Sequence, residues 1–213
     1  MLENNPPDTK QRILDAAERL FARDGYHQTS LRSITSEAEV NLAAVNYHFG
    51  SKEVLLEEVF KRRLIPLNAI RKNQLETVRE QAQDAQRRPE VGAVLRAFIV
   101  PTVRFCSEEP GAEHFSTLVG RAIAEPDDTV RNVFILHIMP LFNLLFSLLQ
   151  EALPELDRDT VFWRLHFALG ATTHTMRLLG RLDLLPEGLN RQIQVDVLLD
   201  QLMAFVTAGV RQP

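Results

Sequence analysis

The sequence predicts an all-α protein, with a compact three-helix head arranged as a helix-turn-helix and a larger helical bundle behind it. Three observations carry this. Apolar residues recur at three- and four-residue spacing along most of the chain, with no alternating strand pattern between them. Glycines and prolines fall between the periodic segments, at Gly25, Gly50, Pro89, Pro110-Gly111, Pro126, Pro154 and Pro186-Glu187-Gly188. A chain of 213 residues that is 45% hydrophobic is also long and apolar enough to fill a core.

The first helix is signalled by Asp8 as its cap, Gln11 in a capping-box relation, and Ile13, Ala16, Ala17, Leu20 and Phe21 on one face; Gly25 stops it. Thr29 or Ser30 caps a second helix of about two turns with Leu31, Ile34, Thr35 and Ala38 inward. After a tight connection through Ala38, Glu39 and Val40, Asn41 caps a third short helix that turns Leu42, Val45 and Phe49 inward and Ala43, Ala44, Tyr47 and His48 outward. Gly50 and Ser51 break the chain. A long fourth helix then runs from Lys52 to Asp84, with a bend expected at Pro66. Further helices are expected at 91–108, 113–125, 128–152, 158–183 and 190–209. Residues 1–51 therefore form the head and residues 52–213 the body.

Composition narrows the function classes. The single cysteine, Cys106, has no partner for an internal disulfide or a thiolate metal site, which fits a reducing compartment and a cytoplasmic protein. No basic stretch followed by an apolar one opens the sequence, and the most apolar run, Phe134 to Leu149, is interrupted by His137, Pro140 and Asn143, so no membrane role is expected. There is no Gly-rich phosphate loop, histidine pair at metal spacing or nucleophile elbow, so neither catalysis nor a metal or cofactor is expected. Net charge is −4, and residues 1–52 carry six bases against seven acids. Bulk charge thus gives no support to nonspecific nucleic-acid binding; what matters is where single cations and donors stand.

The head supplies such a placement. A short capped helix exposing small residues, then an aromatic and a histidine, suits the major groove of DNA. Ala43 and Ala44 permit close approach to base edges, Asn46 presents an amide, and Tyr47 can pack on a thymine methyl or bond a phosphate. His48 and Lys52 can donate to phosphates beside the N-terminus of the fourth helix. The Lys61-Arg62-Arg63 run is more ordinary, since such runs usually solvate a helix face.

The run Thr29-Ser30-Leu31, Ile34, Ala38, Val40-Asn41 and Val45-Asn46-Tyr47-His48-Phe49-Gly50-Ser51-Lys52-Glu53 resembles the DNA-binding signature of the TetR family. The family usually has glycine where this chain has Glu39 and tyrosine where it has Asn46; a positive φ at Glu39 carries a steric cost. The resemblance implies that Thr29, Ser30, Arg32, Asn41, Leu42, Ala43, Ala44, Asn46, Tyr47, His48 and Lys52 contact DNA. It implies a homodimer paired through the last two long helices, where Gly170, Ala171 and Thr172 suit close packing, and a palindromic operator read by two heads about 34–36 Å apart. The run from Asn41 to Lys52 and Val161 to Gly170 are similar to the PsrA-like branch, which implies a repressor released by a fatty acid or acyl-CoA. A helical ligand sensor acting through protein partners is the alternative reading.

Within the body, Pro101 and Pro140 fall inside apolar helices, either splaying them around a cavity or letting them wrap a core. Aromatic residues available to line a cavity include Phe98, Phe105, Phe115, Phe134, Phe142, Phe146, Trp163 and Phe167. Arg104, Arg121, His137, His166 and His174 lie in apolar stretches where a buried headgroup would need a donor. The ligand contacts expected are Arg104, Phe105, Arg121, Phe134, His137, Phe167 and His174.

Overall fold

The computed structural model describes residues 8–124, 128–179, 186–188 and 194–212, and the described residues contain helices and no strand. The helices are α1 (Thr9–Asp24), α2 (Leu31–Glu37), α3 (Leu42–Phe49), α4 (Lys52–Asp84), α5 (Val91–Glu108), α6 (Ala112–Ala124), α7 (Asp128–Ala152), α8 (Arg158–Leu179) and α9 (Val195–Arg211). The expected joint at Pro126 and the expected helical residues 180–183 and 190–193 lie outside the described residues. Helix α9 begins at Val195, since Gln194 is extended, and it runs to Arg211 instead of stopping at 209. Asp8 closes α1 differently from expectation: its side chain makes no cap bond, and its backbone carbonyl accepts from Gln11 (2.8 Å) and Arg12 (3.1 Å).

Prolines interrupt none of the long helices: Pro66 lies inside α4, Pro101 inside α5 and Pro140 inside α7. Each removes one backbone hydrogen bond. Helix α4 ends on the bonds of a Schellman motif, with Arg87 N–H on Ala82 O and Gln86 at φ 48°.

Two compact units account for the chain, one built from residues up to Ile65 with His114–His137, the other from Pro66–Glu113 with Ile138 onward. In the first, α1 turns Ile13, Ala17, Leu20 and Phe21 inward, α2 adds Ile34 and Ala38, and α3 adds Val45 and Phe49. The first part of α4 adds Leu55, Leu56, Val59 and Phe60; the Phe60 ring meets Phe115 edge-on at 5.7 Å and Phe134 at 6.1 Å. Each fully buried large apolar side chain here contributes about 1.5–3 kcal/mol. Beneath this core, Glu18, 2% exposed, accepts from Arg62 Nη2 (2.8 Å) and from Arg63 Nε (3.0 Å) and Nη2 (2.8 Å), while Arg62 Nη1 reaches Asp15 at 2.5 Å.

In the second unit, α5, α7, α8 and α9 share a core that includes Phe98, Ile99, Leu145, Leu149, Leu165 and Val206. Helix α9 buries Leu199, Leu202, Met203, Val206 and Val210 at helical spacing, and α8 buries Val161, Leu165, Ala168 and Thr172. The opposite faces remain apolar as well: Trp163 is 57% exposed, Phe167 69% and Phe205 70%. Helix α7 is long and apolar enough to cross a membrane. Its Leu141, Leu145, Leu148 and Leu149 are nonetheless buried in this core.

Candidate nucleic-acid interface

Successive local bonds shape the head. Gly25, at φ 86°, ends α1 with its N–H on Phe21 O (3.1 Å). Thr29, expected at DNA, is buried instead; its hydroxyl lies 2.8 Å from Gly25 O and 3.2 Å from Leu20 O and ties the turn together. Ser30 is the true cap of α2, in a reciprocal box with Ser33: each backbone N–H donates to the other's hydroxyl oxygen at 3.0 Å. Arg19 on α1 donates to Glu37 on α2 at 3.0 Å.

The turn from α2 to α3 is a Schellman motif. Val40 N–H bonds Thr35 O (3.0 Å) and Glu39 N–H bonds Ser36 O (3.3 Å), which places Glu39 at φ 52°. A side chain in this left-handed region costs about 1–2 kcal/mol, against about 0.5–1 kcal/mol of extra unfolded-state entropy for glycine. Glu39→Gly is therefore expected to stabilise the protein by about 0.5–1 kcal/mol, seen as a higher thermal midpoint. An unchanged or lower midpoint would show that the turn holds no such strain.

Asn41 begins α3 by accepting the Ala44 N–H at 2.9 Å. Val45 and Phe49 are buried, and Ala44 and His48 are half-buried. Leu42, expected inward as well as at DNA, is 42% exposed, because the first residue of a two-turn helix stands beyond the packing of α1 and α2. Arg32, Asn41, Ala43 and Asn46 are exposed, and Tyr47 is 86% exposed with its ring edge-on to His48 at 5.1 Å. Of the expected DNA contacts, Thr29 is buried, Ala44, His48 and Lys52 are half-buried, and the others are exposed.

The start of α4 is organised around Tyr26, a residue the sequence did not single out. Lys52 Nζ lies 4.2 Å from the Tyr26 ring centroid, and the Tyr26 hydroxyl donates to Glu53 at 3.0 Å. The Glu53 carboxyl is held below its ordinary range by its own backbone N–H, then by the hydroxyls of Ser51 and Tyr26. Ser51 Oγ accepts the Val54 N–H at 3.2 Å. The aromatic face thereby holds the lysine beside the positive end of the helix, where a phosphate would lie.

The seven expected ligand contacts fall in both units: Arg121, Phe134 and His137 in the first, and Arg104, Phe105, Phe167 and His174 in the second. Arg104 is exposed and pairs with Asp196 at 3.2 Å; Phe105 is half-buried; Phe167 and His174 are exposed on α8. Arg121 donates from Nε to Ala22 O (2.9 Å) and from Nη2 to Arg23 O (3.0 Å), so it caps the carbonyl end of α1 where a ligand headgroup was expected. Phe134 packs by Phe60, and His137 Nε2 lies 3.9 Å from Glu57. A groove of about 630 Å³ opens between α5 and α9, lined by residues that include Gly92, Arg96, Asp200, Met203 and Thr207; none of the seven lines it. The Lys61-Arg62-Arg63 run is committed to carboxylates: Lys61 pairs with Glu57 (2.7 Å) and the arginines pair with Asp15 and Glu18.

The capped helix pair with its exposed second helix defines a protein of the helix-turn-helix class. Residues 13–59 match the family model of bacterial regulatory proteins of the tetR family, and residues 96–209, more than half of the chain, match that of the tetracyclin repressor-like C-terminal domain. The chain belongs to the TetR family. It is 46% identical over 50 residues to the nicotine-responsive transcriptional repressor HdnoR of Paenarthrobacter nicotinovorans, covering 24% of this chain and 26% of that protein. It is 41% identical over 54 residues to the transcriptional regulator AcrR of Shigella flexneri, covering 25% of each. The chain thus matches about a quarter of the length of these relatives. Over nearly its whole length the fold is similar to that of the fatty acid degradation regulator FadR from Bacillus halodurans, with TM-score 0.64 and 17% identity over 98% of this chain and 100% of that one. It is also similar to FadR from Bacillus subtilis, solved in complex with stearoyl-CoA, with TM-score 0.62 and 16% identity over 94% and 99%.

Proposed function

We propose that this protein is a sequence-specific DNA-binding transcriptional repressor, not an enzyme, in which residues 1–51 read the operator and residues 52–213 bind an effector and dimerise. The observation that carries this is the outer face of α3. A tyrosine 86% exposed beside exposed Asn46 and Ala43, on a helix capped at both ends, has no packing role and matches the reach of a recognition helix. Such a regulator works in the cytoplasm, on a palindrome.

One head buries too little surface to hold DNA tightly, so two heads act together. The apolar outer faces of α8 and α9, with Trp163, Phe167 and Phe205, support pairing with a second copy of the chain. Phe167→Arg is expected to convert the dimer to monomer, measured by sedimentation; a variant that sediments as wild type would move the interface elsewhere.

Release from the operator would follow when a small apolar effector, a fatty acid or acyl-CoA, binds the body better in a state unsuited to DNA; operator and effector then weaken each other by the same factor. The similarity in fold to a FadR solved with stearoyl-CoA supports an acyl effector. The test is a footprint on DNA flanking the protein's own gene, repeated with palmitate and palmitoyl-CoA. Protection of a palindrome relieved by either compound is expected. Absence of sequence-specific protection there and in a random-site selection would overturn the DNA-binding reading.

A further inference from the structure

Arg71, on the second half of α4 in the unit beginning at Pro66, is 4% exposed. Its guanidinium donates from Nε (3.1 Å) and Nη2 (2.6 Å) to Thr102 Oγ1, and from Nη1 to Asn68 Oδ1 (2.9 Å). Its Cζ stands 4.6 Å from the Phe98 ring centroid. All of these partners are neutral. A guanidinium carries five N–H donors. These bonds use one hydrogen on each nitrogen, which leaves one on each terminal nitrogen.

No carboxylate among the described residues pairs with Arg71, and the one group whose ionised form would favour its protonated state is Cys106. Burial lowers its pKa to about 9, so the group remains a cation at neutral pH. Arginine is almost never buried without an anion, because neutral oxygens and an aromatic face recover only part of the lost hydration. Here the cation borders the core of the unit: Phe98 belongs to the apolar cluster of α5, α7, α8 and α9, and Cys106 Sγ lies 3.4 Å from Met176 Sδ on α8.

We propose that Arg71 is the anchor of a ligand site in this unit, and that the ligand is an amphiphile with a free carboxylate whose apolar tail lies among the side chains of α5, α7 and α8. The two remaining N–H groups, one on each terminal nitrogen, suit the two oxygens of a carboxylate. One carboxylate neutralises one guanidinium. An ester or thioester carbonyl accepts a hydrogen bond yet leaves the charge unpaired, so the site selects a free acid over its methyl ester or coenzyme A thioester. The inference rests on the effector-response reading above only for its consequence at DNA; binding is testable without DNA.

The probes are dodecanoate, methyl dodecanoate and dodecanoyl-CoA, each below its critical micelle concentration, titrated calorimetrically into the full chain. Wild type is expected to bind dodecanoate at least about tenfold more tightly than methyl dodecanoate, which has no charge, or dodecanoyl-CoA, whose charges lie on phosphates remote from the thioester carbonyl. Arg71→Met should bring that ratio to about one while leaving the ester's affinity unchanged, and Arg71→Lys should keep part of it. With no ligand, Arg71→Met should melt at or above wild type, since an apolar chain of similar length replaces an unpaired buried ion. No binding of dodecanoate, equal binding of acid and ester, or a preference that survives in Arg71→Met would overturn the proposal. The wild-type comparison decides even if the variant fails to fold. Acid binding without release of DNA would leave the site standing and sink the effector response; release that ignores Arg71 would do the reverse.

Discussion

Replacing Tyr47 by alanine is expected to weaken specific operator binding by about 1–3 kcal/mol per head, the worth of one good base-reading contact. With two heads engaged the loss is about 2–6 kcal/mol for the dimer, provided the half-sites act independently. Stability should change by no more than about 0.5 kcal/mol, because a side chain that is 86% exposed gives up almost no packing. Lys52→Gln should behave differently, weakening binding to any sequence and lowering the salt slope by about one per head. Fluorescence anisotropy on operator and scrambled duplexes at several salt concentrations separates the two. If Tyr47→Ala bound the operator as wild type does, α3 would not be the reading helix.

Glu18→Ala is expected to be the most destabilising single change in the head, by about 3 kcal/mol, at the low end for removing one partner from a buried charge network. Glu18 is the carboxylate that Arg62 and Arg63 share, and its side chain is 3% exposed against 18% and 16% for theirs. Removing it leaves two positive groups facing each other in a poorly hydrated pocket, although Asp15 still meets Arg62. The urea midpoint should fall without a change in slope. Adding Arg63→Met should restore part of the loss, the mark of a coupled pair. A loss below about 1 kcal/mol would mean that water screens the network as it does a surface ion pair.

Most of the helix plan was legible because the breaks are covalent in origin. Gly25 and Gly50 permit positive φ, and Ser30 and Asn41 carry the oxygen that a helix start needs, so α1 to α4 could be placed to within a residue or two. The exposed outer face of α3 was legible for the same reason, since cap and period fix which side turns out. What failed depends on partners distant in sequence. Arg121 sits in an apolar stretch like a headgroup donor, yet the carbonyls it satisfies are Ala22 and Arg23, almost a hundred residues away. Trp163 and Phe167 read as cavity lining, Phe167 as a ligand contact, and only packing shows that Val161, Leu165 and Ala168 take the inward side of α8.

Arg71 was missed for the opposite reason. It lies in the polar run Arg71-Lys72-Asn73-Gln74, where a cation reads as solvated; only its register with Leu67 and Leu75, both buried and four residues to either side, hinted that it faces inward. Thr29 was assigned to DNA on resemblance, whereas its hydroxyl is committed to the carbonyls of its own turn. Local chemistry thus gave the element boundaries, and three-dimensional packing alone gave the destinations of the long polar side chains.

The exposure of Trp163 has a spectroscopic consequence. It is the chain's only tryptophan, and more than half of it is open to water. In an isolated chain its emission should already resemble that of a wet indole and be readily quenched by iodide, so unfolding would alter the spectrum little. The same indole becomes informative when α8 is covered: a shift to shorter wavelength and a loss of quenching as protein concentration rises would track self-association, using light from a single known residue.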